Sequence, residues 1–133
     1  MVYQDKSNRE VDKIWRQAIL PENSTIGQVI RKLDKFGLGI VLVVNETNNL
    51  IGTISDGDVR RGLLKDLDLN SPITSIVHHD ALVAVPQMSR DTVTQLMVAN
   101  KIQQIPVVDD KQQLVGLHLW NEMTTTPARA NLM

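Results

Sequence analysis

The stretch IVLVVNETNNLIGTISDGDV, residues 40–59, decides how this chain folds. It begins with five aliphatic residues, Ile40–Val44, which are typical of a short buried strand. A polar turn follows, and residues 50–54 return as a second strand, which makes a hairpin. Ser55 and Asp58 then have the spacing of a capping box, in which a hydroxyl and an acidic side chain satisfy free N–H groups at a helix start. The stretch therefore predicts strand, turn, strand and helix in succession.

The same pattern recurs 64 positions later. One offset without a gap brings Val43-Val44 onto Val107-Val108, and Leu50-Ile51-Gly52 onto Leu114-Val115-Gly116. We therefore predict an α/β (α+β) fold of two similar units related by a pseudo-two-fold axis, each a small sheet packed by two helices. The second unit carries Pro106 in its first hairpin strand. Because proline lacks an N–H, it should lie at a sheet edge or near the start of the strand.

The repeat divides the chain into four expected segments. Residues 1–18 form an N-terminal extension with a short helix. Residues 19–70 form the first unit and residues 71–124 the second. Residues 125–133 have the composition of a linker.

Composition excludes several classes of protein. The 133 residues carry 14 Lys+Arg and 15 Asp+Glu, so the formal net charge of −1 argues against nucleic acid or a membrane surface as partner. The absence of cysteine excludes a disulfide framework, a zinc finger and a thiol nucleophile. No apolar run approaches the ~18 residues of a membrane span, and the first residues do not resemble a signal peptide. We expect a cytoplasmic protein with an aliphatic core.

Ser55 and Asp58 lie where a strand becomes a helix, and two interpretations stay open. In the first, they only cap the helix. In the second, they also hold a ligand, because a helix N-terminus presents free N–H groups to a phosphate. Arg60 and Arg61 follow, and arginine binds phosphate through a bidentate fork. Only one of two adjacent helical side chains can point to such a site. In the alternative interpretation, both arginines lie on a solvated face of the helix.

Other candidate groups favour structural roles. Asp56-Gly57-Asp58 is too short a pattern to predict a magnesium site. His78-His79-Asp80 is expected on a surface connector, because adjacent residues of an extended segment point to opposite faces. His118 falls in a strand as a structural histidine, and Trp15 and Trp120 are expected to anchor packing. No catalytic motif is present, so we expect neither a metal site nor catalysis in these residues.

Two tandem units of this kind resemble a CBS-domain pair. Residues 52–59, GTISDGDV, match the family signature Gly-apolar-apolar-Thr/Ser-x-x-Asp-apolar. The second unit has Leu119 where the hydroxyl belongs and Glu122 where the Asp belongs. In the family, the hydroxyl and the carboxylate contact the phosphate and ribose of an adenine nucleotide. The resemblance therefore implies an effector of the AMP, ADP or ATP type and no obligatory cofactor.

The resemblance also implies where the nucleotide binds. The expected pocket uses Ser55, Asp58, Arg60 and Arg61, with the base between Ile19-Leu20 and Ile40-Val41. A second, weaker pocket is expected at Gln104, Ile105, Pro106, His118 and Glu122.

CBS pairs commonly meet through their helices, and here the helix after Ser55 offers apolar side chains for this contact. They are Val59, Leu63 and Leu64, with Leu67 and Leu69 beyond. A homodimer through the helices of both repeats is therefore expected.

A finer resemblance concerns the attached enzyme. The run SDGDVRR at residues 55–61, with GLHLWNE at residues 116–122, is similar to the N-terminal regulatory region of sugar-phosphate nucleotidyltransferases of nucleotide-sugar biosynthesis. On this resemblance, residues 125–133 lead toward a C-terminal catalytic domain in cis. Two alternatives stay open: the CBS tail of a sugar-phosphate isomerase, and a purely structural dimerisation module with vestigial pockets.

Overall fold

The computed structural model describes residues 14–124, of which Thr124 is described by its backbone alone. Residues 14–16 are helical, where the leading helix was expected, and the linker expected at 125–133 lies outside the described residues. The regular elements, in chain order, are β1 (Ile19–Pro21), α1 (Ile26–Phe36), β2 (Ile40–Val44), β3 (Leu50–Ser55), α2 (Asp56–Leu64), a 3-10 turn (Ile73–Ser75), α3 (Arg90–Asn100), β4 (Gln104–Val108), β5 (Leu114–Leu119) and α4 (Trp120–Thr124).

Both predicted hairpins are present. β2 pairs with β3 antiparallel, with Val43 opposite Gly52, and β4 pairs with β5 in the same way, with Val107 opposite Gly116. Each ladder shifts register one residue later, at the equivalent place in the two units. The mixed α+β fold of two similar hairpin units is therefore confirmed, whereas the segment boundaries remain predictions.

The two hairpins meet through reciprocal hydrogen bonds at their turns. The N–H of Leu50 donates to the carbonyl of Gln112 at 3.2 Å, and the N–H of Leu114 donates to the carbonyl of Asn48 at 3.1 Å. Replacing each residue of one bond by its equivalent 64 positions away gives the other bond. A second exchanged pair uses side-chain amides, from Asn49 to the Lys111 carbonyl and from Gln113 to the Thr47 carbonyl. The pseudo-two-fold axis therefore passes between the turns.

Strand β2 is buried on both faces, which explains its unbroken apolar sequence. Val41 and Val43 pack in a core that includes residues of α1 and α2. Leu42 faces the other way and packs in a second core with Trp15 and Leu117. A third core lies beneath α3 and contains Ile105 of β4. Within residues 14–124, no helix has the length and apolarity that crossing a bilayer requires.

Strand β1 is an element that the sequence analysis did not predict. It runs parallel to β2, with Leu20 opposite Val43, and makes the first sheet three-stranded in the order β1-β2-β3. The second sheet contains β4 and β5. At the place equivalent to β1, Ala84 forms an isolated parallel bridge with Val107.

Pro106 explains this difference between the sheets. In the first unit, the N–H of Leu42 donates to the carbonyl of Ala18 at 2.9 Å. The equivalent position in the second unit is Pro106, which has no N–H to donate. Its carbonyl still accepts from Ala84 at 2.9 Å, so the side of Pro106 that lacks the donor faces this short edge segment. Pro106 thus lies on the edge side of its strand, as predicted.

Candidate functional site

The junction of β3 and α2 forms the predicted capping box. Ser55 is the N-cap, in an extended conformation with φ −110° and ψ 174°. The N–H of Asp58 donates to Ser55 Oγ at 3.3 Å, and the N–H of Ser55 donates to Asp58 Oδ2 at 2.9 Å. The Ser55 hydroxyl is also within 3.1 Å of Oδ2. These bonds fix both side chains at the helix N-terminus, where the dipole favours a negative charge.

Arg61, rather than Arg60, reaches this junction. Arg61 Nη2 donates to Asp58 Oδ1 at 2.8 Å, and the two side chains are 67% and 17% exposed. A Cβ placed on Gly57 would lie 3.4 Å from Arg61 Nη1, so the guanidinium lies across the first turn of α2. Arg60 is exposed on the helix surface. Of the two arginines that the sequence proposed, Arg61 therefore belongs to the site.

A cavity of about 420 Å³ opens beside the capping box, between the two units. The first unit contributes Ile40, Ser55, Asp58 and Arg61. The connector between the 3-10 turn and α3 contributes His78, Asp80 and Leu82, and α3 and β4 contribute Asn100, Gln104 and Pro106. The cavity therefore combines a helix N-terminus, ionisable groups and an apolar wall, which is the usual composition of a small-molecule site.

His78 and Asp80 are exposed, as predicted for a surface connector, and the connector also forms one wall of this cavity. His78 pairs with Thr53 of β3 through two backbone hydrogen bonds of 2.8 and 3.1 Å. A Cβ on Gly52 would lie 2.5 Å from the carbonyl oxygen of His78 and 2.6 Å from Val77 Cγ1, so only glycine permits this approach. His78 and Asp80 are thereby held at the cavity. A glycine inside a strand can mark a close backbone neighbour, so Gly52 is the signal from which this contact could have been predicted.

The residues expected to enclose a base are mostly elsewhere. Ile40 lines the cavity, but Val41 is fully buried in the core beneath α1 and α2, because adjacent strand residues face opposite sides. Leu20 belongs to the same core, and Ile19 packs at the margin of the second core. The structure does not bring Ile19, Leu20 and Val41 to the cavity.

The equivalent place in the second unit is filled by apolar side chains. Under the 64-residue offset, the cavity residues Ser55, Thr53 and Pro106 correspond to Leu119, Leu117 and Leu42. Those three leucines pack in one cluster with Trp15, which is 2% exposed. A smaller cavity of about 240 Å³ remains beside Leu119, walled in part by residues 37–39. The two halves are therefore asymmetric: the first has Ser55 at the larger cavity, and the second has Leu119 at the smaller one.

The residues expected to form the second pocket do not come together. Gln104 and Pro106 line the first cavity, because β4 borders the space between the units, and Gln104 also lines the smaller cavity beside Leu119. Ile105 is fully buried beneath α3. His118 and Glu122 lie near Arg90, whose guanidinium donates to the Glu122 carbonyl at 2.7 Å.

Burial shifts the pKa values of these last two groups. It lowers the pKa of His118, and the charge of Arg90 lowers this pKa further. Burial raises the pKa of the Glu122 carboxyl, which Arg90 partly opposes. In both groups, burial therefore shifts the pKa in the direction that favours the neutral form.

Comparison with known proteins identifies the family of this fold. The CBS-domain model matches residues 11–65 and 73–117, which together are most of the chain. The chain belongs to the CBS-domain family. Its two matched segments are the two repeats, so the chain is a tandem CBS pair, also called a Bateman module.

Curated relatives contain this pair within longer proteins. An uncharacterised protein of Methanocaldococcus jannaschii, MJ1225, is 33% identical over 112 residues, 83% of this chain and 40% of that protein. Arabinose 5-phosphate isomerase GutQ of Salmonella typhi is 28% identical over 93 residues, 70% of this chain and 29% of GutQ. Inosine-5'-monophosphate dehydrogenase of M. jannaschii is 22% identical over 118 residues, 87% of this chain and 23% of the enzyme. The chain thus spans less than half the length of each.

Solved structures share the fold. The CBS domain protein PAE2072 from Pyrobaculum aerophilum, complexed with AMP, has a TM-score of 0.73 and 22% identity, over 86% of this chain and 88% of that chain. The cytosolic domain of the Mg²⁺ channel MgtE, in complex with ATP, has a TM-score of 0.66 and 20% identity, over 86% of this chain and 44% of that one.

Proposed function

We propose that this CBS pair is a non-catalytic regulatory module that binds one adenine nucleotide in the cavity beside Ser55 and Asp58. The observation that carries the proposal is the cavity of about 420 Å³, which falls within the usual size of a small-molecule pocket. In the other half, the apolar cluster around Trp15 takes up part of the equivalent place. The cavity of about 240 Å³ that remains there is below the usual size of a small-molecule pocket and has Leu119 in place of Ser55. We therefore propose one nucleotide site per chain.

The chemistry of the cavity fits a nucleotide. The N-terminus of α2 offers backbone N–H groups to a phosphate, and Arg61 adds a planar charged donor. Asp58 offers a carboxylate that accepts hydrogen bonds from ribose hydroxyls. The AMP and ATP complexes of the two similar structures support an adenine nucleotide as the effector.

The module is expected to regulate an enzyme in the same polypeptide. We propose a sugar-phosphate nucleotidyltransferase, on the resemblance of residues 55–61 and 116–122. The similarity to GutQ supports the alternative, a sugar-phosphate isomerase with a CBS tail. Assays of the complete gene product for nucleotidyl transfer and for ketose–aldose isomerisation of sugar phosphates decide between the two.

We also propose a cytoplasmic homodimer. The contact uses the end of α2 and the residues that follow it, which we call the helical face. Leu63, Leu64 and Leu69 are 41%, 79% and 54% exposed, which leaves apolar surface for a second copy. Val59 is buried in the core of its own unit, and Leu67 packs against that core. The contact is therefore expected to use three of the five apolar residues that the sequence suggested.

A second candidate function is a structural dimerisation module without a ligand. The capping box alone accounts for Ser55 and Asp58, which favours this alternative. A thermal-shift screen with AMP, ADP, ATP, GTP and CTP separates the two, because a ligand that binds only the native state raises its stability. We expect an adenine nucleotide to raise the melting temperature. No shift with any nucleotide at millimolar concentration leaves the structural module as the function.

A further inference from the structure

We propose that Arg61 makes the site specific for phosphorylated ligands, by exchanging its bond to Asp58 for one to the phosphate. The inference rests on the proposed function, because it concerns the same cavity. Arg61 then acts as a specificity determinant: a nucleoside without phosphate must break the Arg61–Asp58 pair and gives the guanidinium nothing in return.

Asp58 already accepts three hydrogen bonds. Its carboxylate accepts from the Ser55 N–H, the Ser55 hydroxyl and Arg61, at 2.9, 3.1 and 2.8 Å. A carboxylate has about four acceptor positions. The two hydroxyls of a ribose add two donors, so one of the present three must leave.

Arg61 is the donor that can leave. The Ser55 N–H is held by the capping box. The Ser55 hydroxyl can turn its proton away from Asp58, but it is neutral, whereas the guanidinium of Arg61 gains a charge-assisted bond to the phosphate when it leaves. The Arg61 side chain is long and 67% exposed. It borders the 420 Å³ cavity and also an adjoining cavity of about 370 Å³, so it can move between the two without crossing the protein interior.

The charges that line the cavity also favour this role for Arg61. Among the described residues that line the cavity, Arg61 is the one arginine or lysine, whereas Asp58 and Asp80 are both acidic. A phosphate that entered without the guanidinium would face two carboxylates. Arg61 already lies across the first turn of α2, beside Gly57, where the helix N–H groups receive a phosphate. A small displacement therefore takes the guanidinium from Asp58 to the phosphate.

The test is calorimetric titration of AMP and adenosine into the wild-type chain, Arg61→Gln and Arg60→Gln. Arg60→Gln is the matched control, because Arg60 is exposed on the same helix one residue earlier. Loss of a charge-assisted bond predicts that Arg61→Gln binds AMP at least ~10-fold more weakly. Adenosine should bind unchanged or more tightly, because Asp58 is freed. The preference for AMP over adenosine should stay within about twofold of wild type in Arg60→Gln.

Two results overturn the inference. In the first, Arg61→Gln weakens AMP and adenosine by the same factor, which leaves the preference for AMP unchanged. In the second, Arg61→Gln changes this preference no more than Arg60→Gln does. Absence of AMP binding to the wild-type chain is a different result, since it refutes the proposed function itself. Because Arg61 is exposed, its substitution is expected to leave the fold intact, and unchanged circular dichroism verifies this.

Discussion

Replacement of Gly52 by alanine tests how the connector is held at the cavity. The new Cβ would lie 2.5 Å from the His78 carbonyl oxygen, a backbone atom that cannot rotate away. The connector must move from β3, which breaks the two hydrogen bonds between Thr53 and His78. At about 0.5–1.5 kcal/mol each, their loss lowers the free energy of unfolding by roughly 1–3 kcal/mol. The wall that carries His78 and Asp80 is displaced as well, so nucleotide binding should be lost.

Gly116→Ala is the matched control, because Gly116 is the equivalent glycine of the second unit. Its added Cβ meets Val107 at 3.5 Å, an ordinary contact. Urea denaturation should therefore show a change within about 0.5 kcal/mol, and AMP titration should be unaffected. The reasoning is refuted if Gly116→Ala is as costly as Gly52→Ala, or if Gly52→Ala leaves both stability and binding unchanged.

Three further predictions concern the two halves, the helical face and pH. Asp58→Ala should weaken AMP binding by one to two orders of magnitude, because a charged hydrogen bond contributes about 1.5–3 kcal/mol, whereas Glu122→Ala should leave binding unchanged. Calorimetry measures both variants, and circular dichroism detects loss of the helix cap. If Glu122→Ala weakens binding and Asp58→Ala does not, the pocket lies in the other half. Replacing Leu64 and Leu69 together by aspartate should convert the homodimer to monomer in sedimentation, and an unchanged dimer would contradict the proposed face. The folded-state pKa of His118 is lowered, so the imidazole is protonated first in the unfolded chain as pH falls through about 6.5, and the free energy of unfolding decreases toward acid pH. In urea denaturation, His118→Gln should lose less of this free energy between pH 7.5 and 5.5 than the wild-type chain. An equal loss in both proteins would contradict this role of His118.

The sequence predicted the elements that depend on local pattern. The aliphatic runs, the polar turns and the hydroxyl–acid spacing at Ser55 and Asp58 act over a few residues, and the hairpins and the cap are where those patterns placed them. Strand β1 was missed because it is three residues long and ends in Pro21. It is a strand only because β2 lies beside it, more than twenty positions later in the chain.

The site was predicted less completely than the fold. The cap was visible, but the choice between Arg60 and Arg61 depends on the helix phase relative to the cavity. The placing of Gln104 and Pro106 depends on how the second unit packs against the first. Trp15 was expected as a packing anchor, yet its partners come from both hairpins, and no local pattern identifies them.

Titration of the wild-type chain with AMP tests the central claim most directly, because it measures how many sites the two asymmetric halves provide. The cavity of about 420 Å³ beside Ser55, and the smaller cavity beside Leu119 that lacks the hydroxyl, predict saturation at one AMP per chain. Two equivalent sites per chain, or no heat of binding for AMP, would contradict the account.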